Sequence, residues 1–289
     1  MMPTDIGIVD LMIGFPSNDP RRKYEALRDL AKDPASQDMK FPAEYMFKDV
    51  PDELASGQDP VEVTLAAMDR HGISIGLVGL GNKSAVDGLA RHPDRFAASL
   101  EVDPNNIGTT VNAIRRAHAD DGIAAVSTFP AGCNPQVPVN DKRYYPVYQT
   151  CVDLDIPIIV NAGIAGPRVP SECQHVMLFD QVCYDFPELR VVMRHGAEPW
   201  EDLAVKLMLK WPGLHYMTSA FAPKYYPKAI VEYANTRGAE KIMYAGYYPM
   251  GLSLDRIFTE LPQVPFRDDV WPKFLRDNAM RVFRLGDRR

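Results

Sequence analysis

Short apolar runs alternate with amphipathic segments along most of this chain. The apolar runs cover residues 6–15, 72–80, 96–102, 122–128, 156–162, 189–195, 214–220 and 241–246. Apolar runs of this length predict buried strands of a parallel sheet. Between them, apolar positions recur at helical spacing, for example within residues 60–70, 107–119 and 198–211. The pattern therefore predicts eight strand–helix units.

Eight such units in 289 residues predict a closed (β/α)8 TIM barrel, which is an α/β fold. An open, doubly wound sheet is the alternative, but it usually has a glycine-rich phosphate-binding turn after its first strand. Residues 10–14 (Asp-Leu-Met-Ile-Gly) do not form such a motif. We expect a single barrel domain over residues 1–289. The polar stretch at residues 17–57 predicts an insertion after the first strand, acting as a lid or an interface loop.

Charge and composition narrow the possible functions. The chain has 32 basic and 38 acidic residues, a net charge of −6, and no basic cluster, so we expect no nucleic-acid partner. No stretch reaches about 18 uninterrupted apolar residues, and the first residues lack the pattern of an export signal. We therefore expect a cytoplasmic protein with no membrane partner. The four cysteines lack metal-binding spacing and are expected to be reduced, buried thiols.

The predicted sixth strand ends in the best candidate for chemistry. His195 is followed by Gly196 and by Pro199, where we expect a helix to begin. In a barrel, side chains at the C-terminal ends of the strands face the ligand site. An imidazole titrates near neutral pH, so His195 suits proton transfer. Other strand-end residues are expected at the same mouth, although each also fits a purely structural role: Asp10, Met12, Gly14, Glu101, Asp103, Thr128, Asn161, Glu198, Ser219, Tyr247 and Tyr248.

Four segments of the chain resemble the amidohydrolase-related family, the branch that includes aminocarboxymuconate semialdehyde decarboxylase, resorcylate decarboxylases and lactone hydrolases. They are residues 158–164, 191–200, 241–249 and 274–283. The most specific parts are the His-Gly-Ala-Glu-Pro-Trp turn and the Asn-Ala-Met-Arg motif near the end of the chain. The resemblance implies a TIM barrel, usually dimeric, that acts on a small cyclic or aromatic carbonyl or carboxylate compound.

The chain departs from that family at the positions where the family binds its metal ion. Met12 and Gly14 stand where the family has ligands on the first strand, Asn161 replaces a fifth-strand histidine, and Tyr247 replaces an eighth-strand aspartate. A zinc or manganese site needs three or more histidine, cysteine or carboxylate ligands. We therefore expect no metal and no other cofactor.

Three functions remain open. The favoured one is a metal-independent hydrolase or lyase in which His195 is the general acid or base and Glu198 or Asp10 orients the imidazole. The residues expected to bind a small-molecule substrate are Met12, Thr128, Asn161, Ser219, Tyr247 and Tyr248. The second is a catalytically inactive barrel that acts as a binding or assembly subunit. The third is a metalloenzyme with an unusual site made of Asp10, Glu101 and His195. We expect a homodimer, for which the apolar helices within residues 270–285 could provide the contact.

Overall fold

A computed structural model describes residues 1–17, 24–47 and 54–286, and it contains one eight-stranded sheet. All strand pairs are parallel, and the strands follow one another in sequence order around the sheet. Backbone hydrogen bonds from Leu11 N–H to Tyr244 O (3.3 Å) and from Tyr247 N–H to Met12 O (2.9 Å) join the last strand to the first. This confirms the (β/α)8 TIM barrel. The strands are β1 Ile8–Asp10, β2 Ile73–Leu80, β3 Phe96–Glu101, β4 Ala125–Thr128, β5 Ile158–Asn161, β6 Val191–Arg194, β7 Leu214–Met217 and β8 Ile242–Met243.

Helices separate the strands; the first two belong to the insertion after β1, and the others cover the outside of the barrel. They are α1 Glu25–Arg28, α2 Pro34–Asp38, α3 Pro60–Arg70, α4 Lys83–Arg91, α5 Ile107–Asp121, α6 Tyr145–Asp153, α7 Leu178–Asp185, α8 Glu201–Lys210, α9 Lys228–Ala234, α10 Leu254–Glu260 and α11 Asn278–Val282. A π-helical turn, Lys273–Asp277, precedes α11. Within the described part of the chain, no helix is both long and apolar enough to cross a bilayer. All four cysteines are buried free thiols, as expected.

Some elements are shorter than the apolar pattern predicts. The first strand ends at Asp10 because the carboxylate accepts a hydrogen bond from Met12 N–H (3.0 Å) and the chain turns there. The eighth strand pairs only over Ile242–Met243. The helix expected from Pro199 begins at Glu201. The spacing of apolar residues at 21–30 also predicts a helix; α1 lies within that range, and residues 21–23 lie outside the described residues.

The segment at residues 270–285 belongs to the core, so the expected dimer contact there is wrong. Trp271, Phe274 and Leu275 are each at most 2% exposed. Asn278, from the Asn-Ala-Met-Arg motif, donates from Nδ2 to Ala239 O (2.8 Å) and Ile242 O (2.9 Å). The motif therefore attaches this segment to β8, and most of its apolar side chains are buried within the barrel.

The described part of the insertion, residues 24–47, lies over the C-terminal end of the barrel. Tyr45 Oη donates to Gly166 O (2.7 Å), and Arg168 pairs with Asp33 (2.5 Å). Both contacts join the insertion to the loop that follows β5. The insertion therefore forms part of the wall around the space above the strand ends.

Candidate active site

A cavity of about 560 Å³ opens at the C-terminal ends of the strands. Met12, Asn161, His195 and Tyr247, all predicted as site residues, line it. Side chains of the insertion complete its wall, so the space is bounded by both the barrel and the segment above it. This is the position at which TIM-barrel enzymes carry out their chemistry.

His195 stands at the end of β6 and is held by a neighbouring strand end. Its Nδ1 lies 3.0 Å from Ser219 Oγ, and its backbone N–H donates to the same oxygen (3.3 Å). Within the described residues, Nε2 has no hydrogen-bond partner. Burial, followed by the positive charge of Arg194, holds the pKa of His195 well below its usual range. The imidazole is therefore neutral at pH 7, with Nε2 available to a ligand.

The cavity also contains a buried cation that the pattern of strand ends does not single out. Arg194 is 8% exposed and lines the cavity. Its Nε donates to Asn161 Oδ1 (2.5 Å), across the paired strands β5 and β6. Its Nη2 lies 3.7 Å from Glu101 Oε2, which is too long for a good hydrogen bond. The signal available in the sequence was an arginine inside the apolar run before His195. A charged side chain is rarely buried unless it is paired, so its presence in a buried strand indicates a specific partner.

One wall of the cavity is a row of aromatic rings that passes from the insertion to the barrel. The ring of Phe47 stacks on Tyr247 (centroids 5.6 Å apart, 24° between planes) and also contacts Phe41 (5.7 Å). Phe41 in turn contacts Tyr24 (6.4 Å). Tyr247 meets His195 edge to face (5.3 Å, 82°), and burial raises its pKa to about 12. This wall suits a flat, unsaturated ligand.

The structure does not bring Glu198 to the histidine in the orienting role expected of it. Glu198 lines the cavity but is exposed, and its carbonyl oxygen accepts a hydrogen bond from Ile164 N–H (2.7 Å). The group that contacts His195 Nδ1 is Ser219, which was expected to bind substrate. Ser219 is fully buried, so it positions the imidazole from behind.

Four other residues expected at this mouth lie outside the cavity. Asp103 accepts a hydrogen bond from Asn105 N–H (2.9 Å). Asp10 is fully buried, and its Oδ1 accepts hydrogen bonds from Met12 N–H (3.0 Å) and Gly246 N–H (2.8 Å). Thr128 Oγ1 is bonded to Val102 O (3.0 Å) and lies 2.9 Å from Tyr144 Oη. Tyr248 lines a separate pocket next to His71. These residues connect elements of the barrel instead of facing a ligand.

Backbone strain is concentrated around this cavity. His195, Ala220 and Tyr247, each within four residues of a strand end, have φ angles of 68°, 71° and 80°. Non-glycine residues adopt this region at a cost of about 1 kcal/mol or more each. Strain of this kind is often found at functional sites, and here it turns the side chains of His195 and Tyr247 toward each other.

The donors of the cavity do not form a metal site. Among the described residues, no group of three or more histidine, cysteine or carboxylate side chains is arranged to hold an ion. The carboxylate of Glu101 lies 3.7 Å from the guanidinium of Arg194, and His195 Nδ1 is hydrogen-bonded to Ser219. A guanidinium beside these groups would also repel a divalent cation. The residues present therefore do not fit the metal ion that the family resemblance implies.

Comparison with known proteins places this fold in a family. A sequence model of the amidohydrolases matches residues 20–285. Among solved structures, an uncharacterised TIM-barrel protein from Bordetella bronchiseptica is similar with a TM-score of 0.74 at 22% identity, over 98% of this chain and 100% of that one. No curated protein sequence matches.

Two characterised structures share the fold at lower identity. The 5-carboxyvanillate decarboxylase of Novosphingobium aromaticivorans, complexed with manganese and 4-hydroxy-3-methoxy-5-nitrobenzoic acid, has a TM-score of 0.65 at 14% identity, over 98% and 100% of the two chains. The 4-oxalomesaconate hydratase of Rhodopseudomonas palustris has a TM-score of 0.64 at 16% identity, over 97% and 96%. The family match extends over most of the barrel, and the chain therefore belongs to the amidohydrolase family.

Proposed function

We propose that this protein is a hydrolase or lyase of the amidohydrolase family that acts on a small cyclic or aromatic carboxylate or carbonyl compound without a metal ion. The observation that carries the proposal is a neutral imidazole, His195, held by Ser219 at the base of an aromatic-walled cavity. The names of the similar structures, a decarboxylase and a hydratase, support the substrate class.

The neutral His195 can exchange a proton at Nε2 with a ligand or a water molecule. Because burial and the charge of Arg194 disfavour the imidazolium, we expect a protonated His195 to be short-lived and to release its proton to the substrate or to water. A neutral imidazole can also donate a hydrogen bond that polarises a carbonyl group. Asn161 and Tyr247, which line the same cavity, are placed to contact a substrate oxygen. Opening of an activated ester or lactone, or cleavage of a C–C bond next to a carbonyl, is within the reach of these groups.

Manganese is present in the similar decarboxylase, but the donors of this cavity do not suit it. No step of the proposed reaction therefore passes through a metal ion. Elemental analysis of protein purified without added metal, together with assays in excess EDTA, tests this point. We expect turnover to persist in EDTA, whereas one tightly held equivalent of manganese or zinc would contradict metal independence.

Substitution of His195 tests the enzyme assignment. We expect His195→Asn to lower turnover of the best substrate in a panel of hydroxybenzoates, aryl esters and lactones by about 100-fold or more, as for loss of a general acid or base. Ser219→Ala should give a smaller loss, because it releases the ring without removing it. The matched control is His175→Asn, since His175 packs against Trp200 (ring centroids 4.0 Å apart, 46° between planes) and does not line the cavity.

The alternative function, a catalytically inactive binding subunit, makes a different prediction for the same panel of compounds. If wild-type protein turns over no compound while one of them still raises its melting temperature, the cavity binds without catalysis and the enzyme assignment is wrong. If His195→Asn retains wild-type turnover, the protein is an enzyme but His195 is not its proton-transfer group.

We also propose that the protein is a cytoplasmic homodimer. Its four free, buried thiols suit a reducing compartment. Apolar side chains exposed around the cavity mouth, Met46 (54%), Ile164 (57%) and Tyr225 (61%), are available for a subunit contact. Sedimentation at micromolar concentration tests the dimer, and a single monomeric species would contradict it.

A further inference from the structure

We infer that the guanidinium of Arg194 is the anion-binding group of the cavity and pairs with the carboxylate of the substrate, so that a side chain supplies the positive charge of this site. This inference rests on the proposed function, because it concerns the same cavity. It adds a specificity determinant, namely that the ligand must present an anionic group to β6.

The first support is the incomplete pairing of a buried charge. Arg194 is 8% exposed, and a guanidinium so deeply buried is costly unless it is paired. Its one charged partner among the described residues is Glu101, 3.7 Å from Nη2, and the Glu101 side chain is 61% exposed. The remaining hydrogen bond goes from Nε to Asn161, a neutral group. The terminal nitrogens therefore retain donors for a second anion.

The second support is the rigidity of this cation. Arg194 lies within β6, and Asn161, the residue that holds its Nε at 2.5 Å, is its paired neighbour on β5. With Nε fixed, the plane of the guanidinium is fixed as well, and its two terminal nitrogens form a fork that matches a carboxylate. A positioned donor of this kind loses little conformational freedom when a ligand binds.

The third support is what surrounds the guanidinium. His195 is neutral, and the aromatic wall carries no charge at neutral pH, since burial raises the pKa of Tyr247 to about 12. The other arginine that lines the cavity, Arg256, is already bonded to Glu260 (Nε to Oε1, 3.1 Å). Arg194 is therefore the cation whose pairing a ligand carboxylate would complete, and Glu101 is the group that it would displace.

Calorimetric titration with benzoate and with benzamide, its neutral counterpart, tests the inference in excess EDTA. We expect wild-type protein to bind benzoate at least about 10-fold more tightly than benzamide, the least that a charge-assisted pair should give. Arg194→Met should lose about 30-fold or more in benzoate affinity and leave benzamide binding unchanged. Arg194→Lys keeps the charge but loses the pair of terminal nitrogens. Its benzoate affinity should lie between those of the wild-type protein and Arg194→Met. Circular dichroism and melting curves establish that each variant is folded.

Two further variants separate Arg194 from its neighbours. Arg256→Met is the matched control and should keep benzoate affinity within about twofold. Glu101→Gln should bind benzoate several-fold more tightly, because it removes the competing carboxylate. Equal binding of benzoate and benzamide by wild-type protein, equal losses in Arg194→Met and Arg256→Met, or weaker binding by Glu101→Gln would each overturn the inference.

The two proposals fail separately. If carboxylate binding depends on Arg194 while no compound is turned over, the anion site stands and the enzyme assignment fails. If His195→Asn abolishes turnover while Arg194→Met binds and converts the carboxylate normally, the enzyme stands and the anion site fails.

Discussion

Two charged residues on different strands of the barrel, Asp10 on β1 and Arg194 on β6, show how burial decides what a side chain does. Arg194 reaches the cavity and keeps unused donors, whereas Asp10 lies below the cavity and has its Oδ1 bonded to the N–H groups of Met12 and Gly246. Both were visible as charges within apolar runs. Only three-dimensional packing shows which one faces a ligand, so the sequence pointed to Asp10 and passed over Arg194.

The buried carboxyl of Asp10 predicts a pH dependence of stability. Burial raises its pKa from 3.8 to about 6, although the two backbone hydrogen bonds lower it. Between these pH values the folded state holds a proton that the unfolded state has lost. The free energy of unfolding therefore falls as the pH rises through this window, by up to about 3 kcal/mol for a difference of two pKa units.

Asp10→Asn should remove this contribution while leaving an oxygen that accepts the same two hydrogen bonds. Urea denaturation of both proteins from pH 4 to pH 7 should show wild type losing stability relative to the variant as the pH rises. Parallel curves would mean that Asp10 is already charged in the folded state. Retained turnover in the variant is expected as well, because Asp10 does not line the cavity.

At the scale of elements, the strand-to-loop junction after β6 fixes the geometry of the site. His195, Gly196 and Ala197 have consecutive positive φ angles of 68°, 90° and 58°. A Cβ atom on Gly196 would clash with the edge of the Phe221 ring, at Cε2 and Cζ. The position therefore excludes larger residues both by its backbone conformation and by its lack of space.

Gly196→Ala should lower the free energy of unfolding by more than about 1 kcal/mol, the usual cost of alanine at a positive φ, because the steric conflict adds to it. It should also lower turnover by shifting His195. Gly79→Ala is a suitable control, because a Cβ atom at Gly79 would meet no other atom within 4 Å and the residue has no positive φ. Urea denaturation of both variants makes the comparison, and equal stability of the two would contradict the role assigned to this turn.

The same junctions explain what the sequence could and could not predict. Hydrophobic periodicity was sufficient for eight strands in order, because six of the eight strands are buried along their whole length. It placed Tyr247 and Tyr248 together at the mouth, yet the left-handed conformation of Tyr247 (φ 80°) sends the two rings to different pockets. Nor could periodicity show that Phe47, distant in sequence, stacks on Tyr247. Such contacts depend on backbone angles and long-range packing, which no local pattern encodes.

At the scale of the whole molecule, acid sensitivity should arise from histidines buried in neutral form. His215 on β7 is 3% exposed, and its Nδ1 has no hydrogen-bond partner among the described residues. Burial, with help from Lys241, Arg281 and Arg190, lowers its pKa from 6.5 to about 3. As the pH falls below 6.5, His215 is protonated in the unfolded chain but stays neutral in the folded barrel. The free energy of unfolding therefore falls by about 1.4 kcal/mol per pH unit.

This effect is separable from that of Asp10, which has the opposite sign. His215→Leu, an apolar replacement in a buried strand, should flatten the loss of stability between pH 6.5 and pH 5, a difference from wild type of about 2 kcal/mol at the acid end. Because Asp10 and His195 are present in both proteins, their contributions cancel in that difference. His118→Gln, on the outer helix α5, serves as the control and should keep the wild-type slope. A variant at position 215 with an unchanged slope would mean that His215 is protonated within the fold, and the basic residues around it would then need an anion to balance their charge.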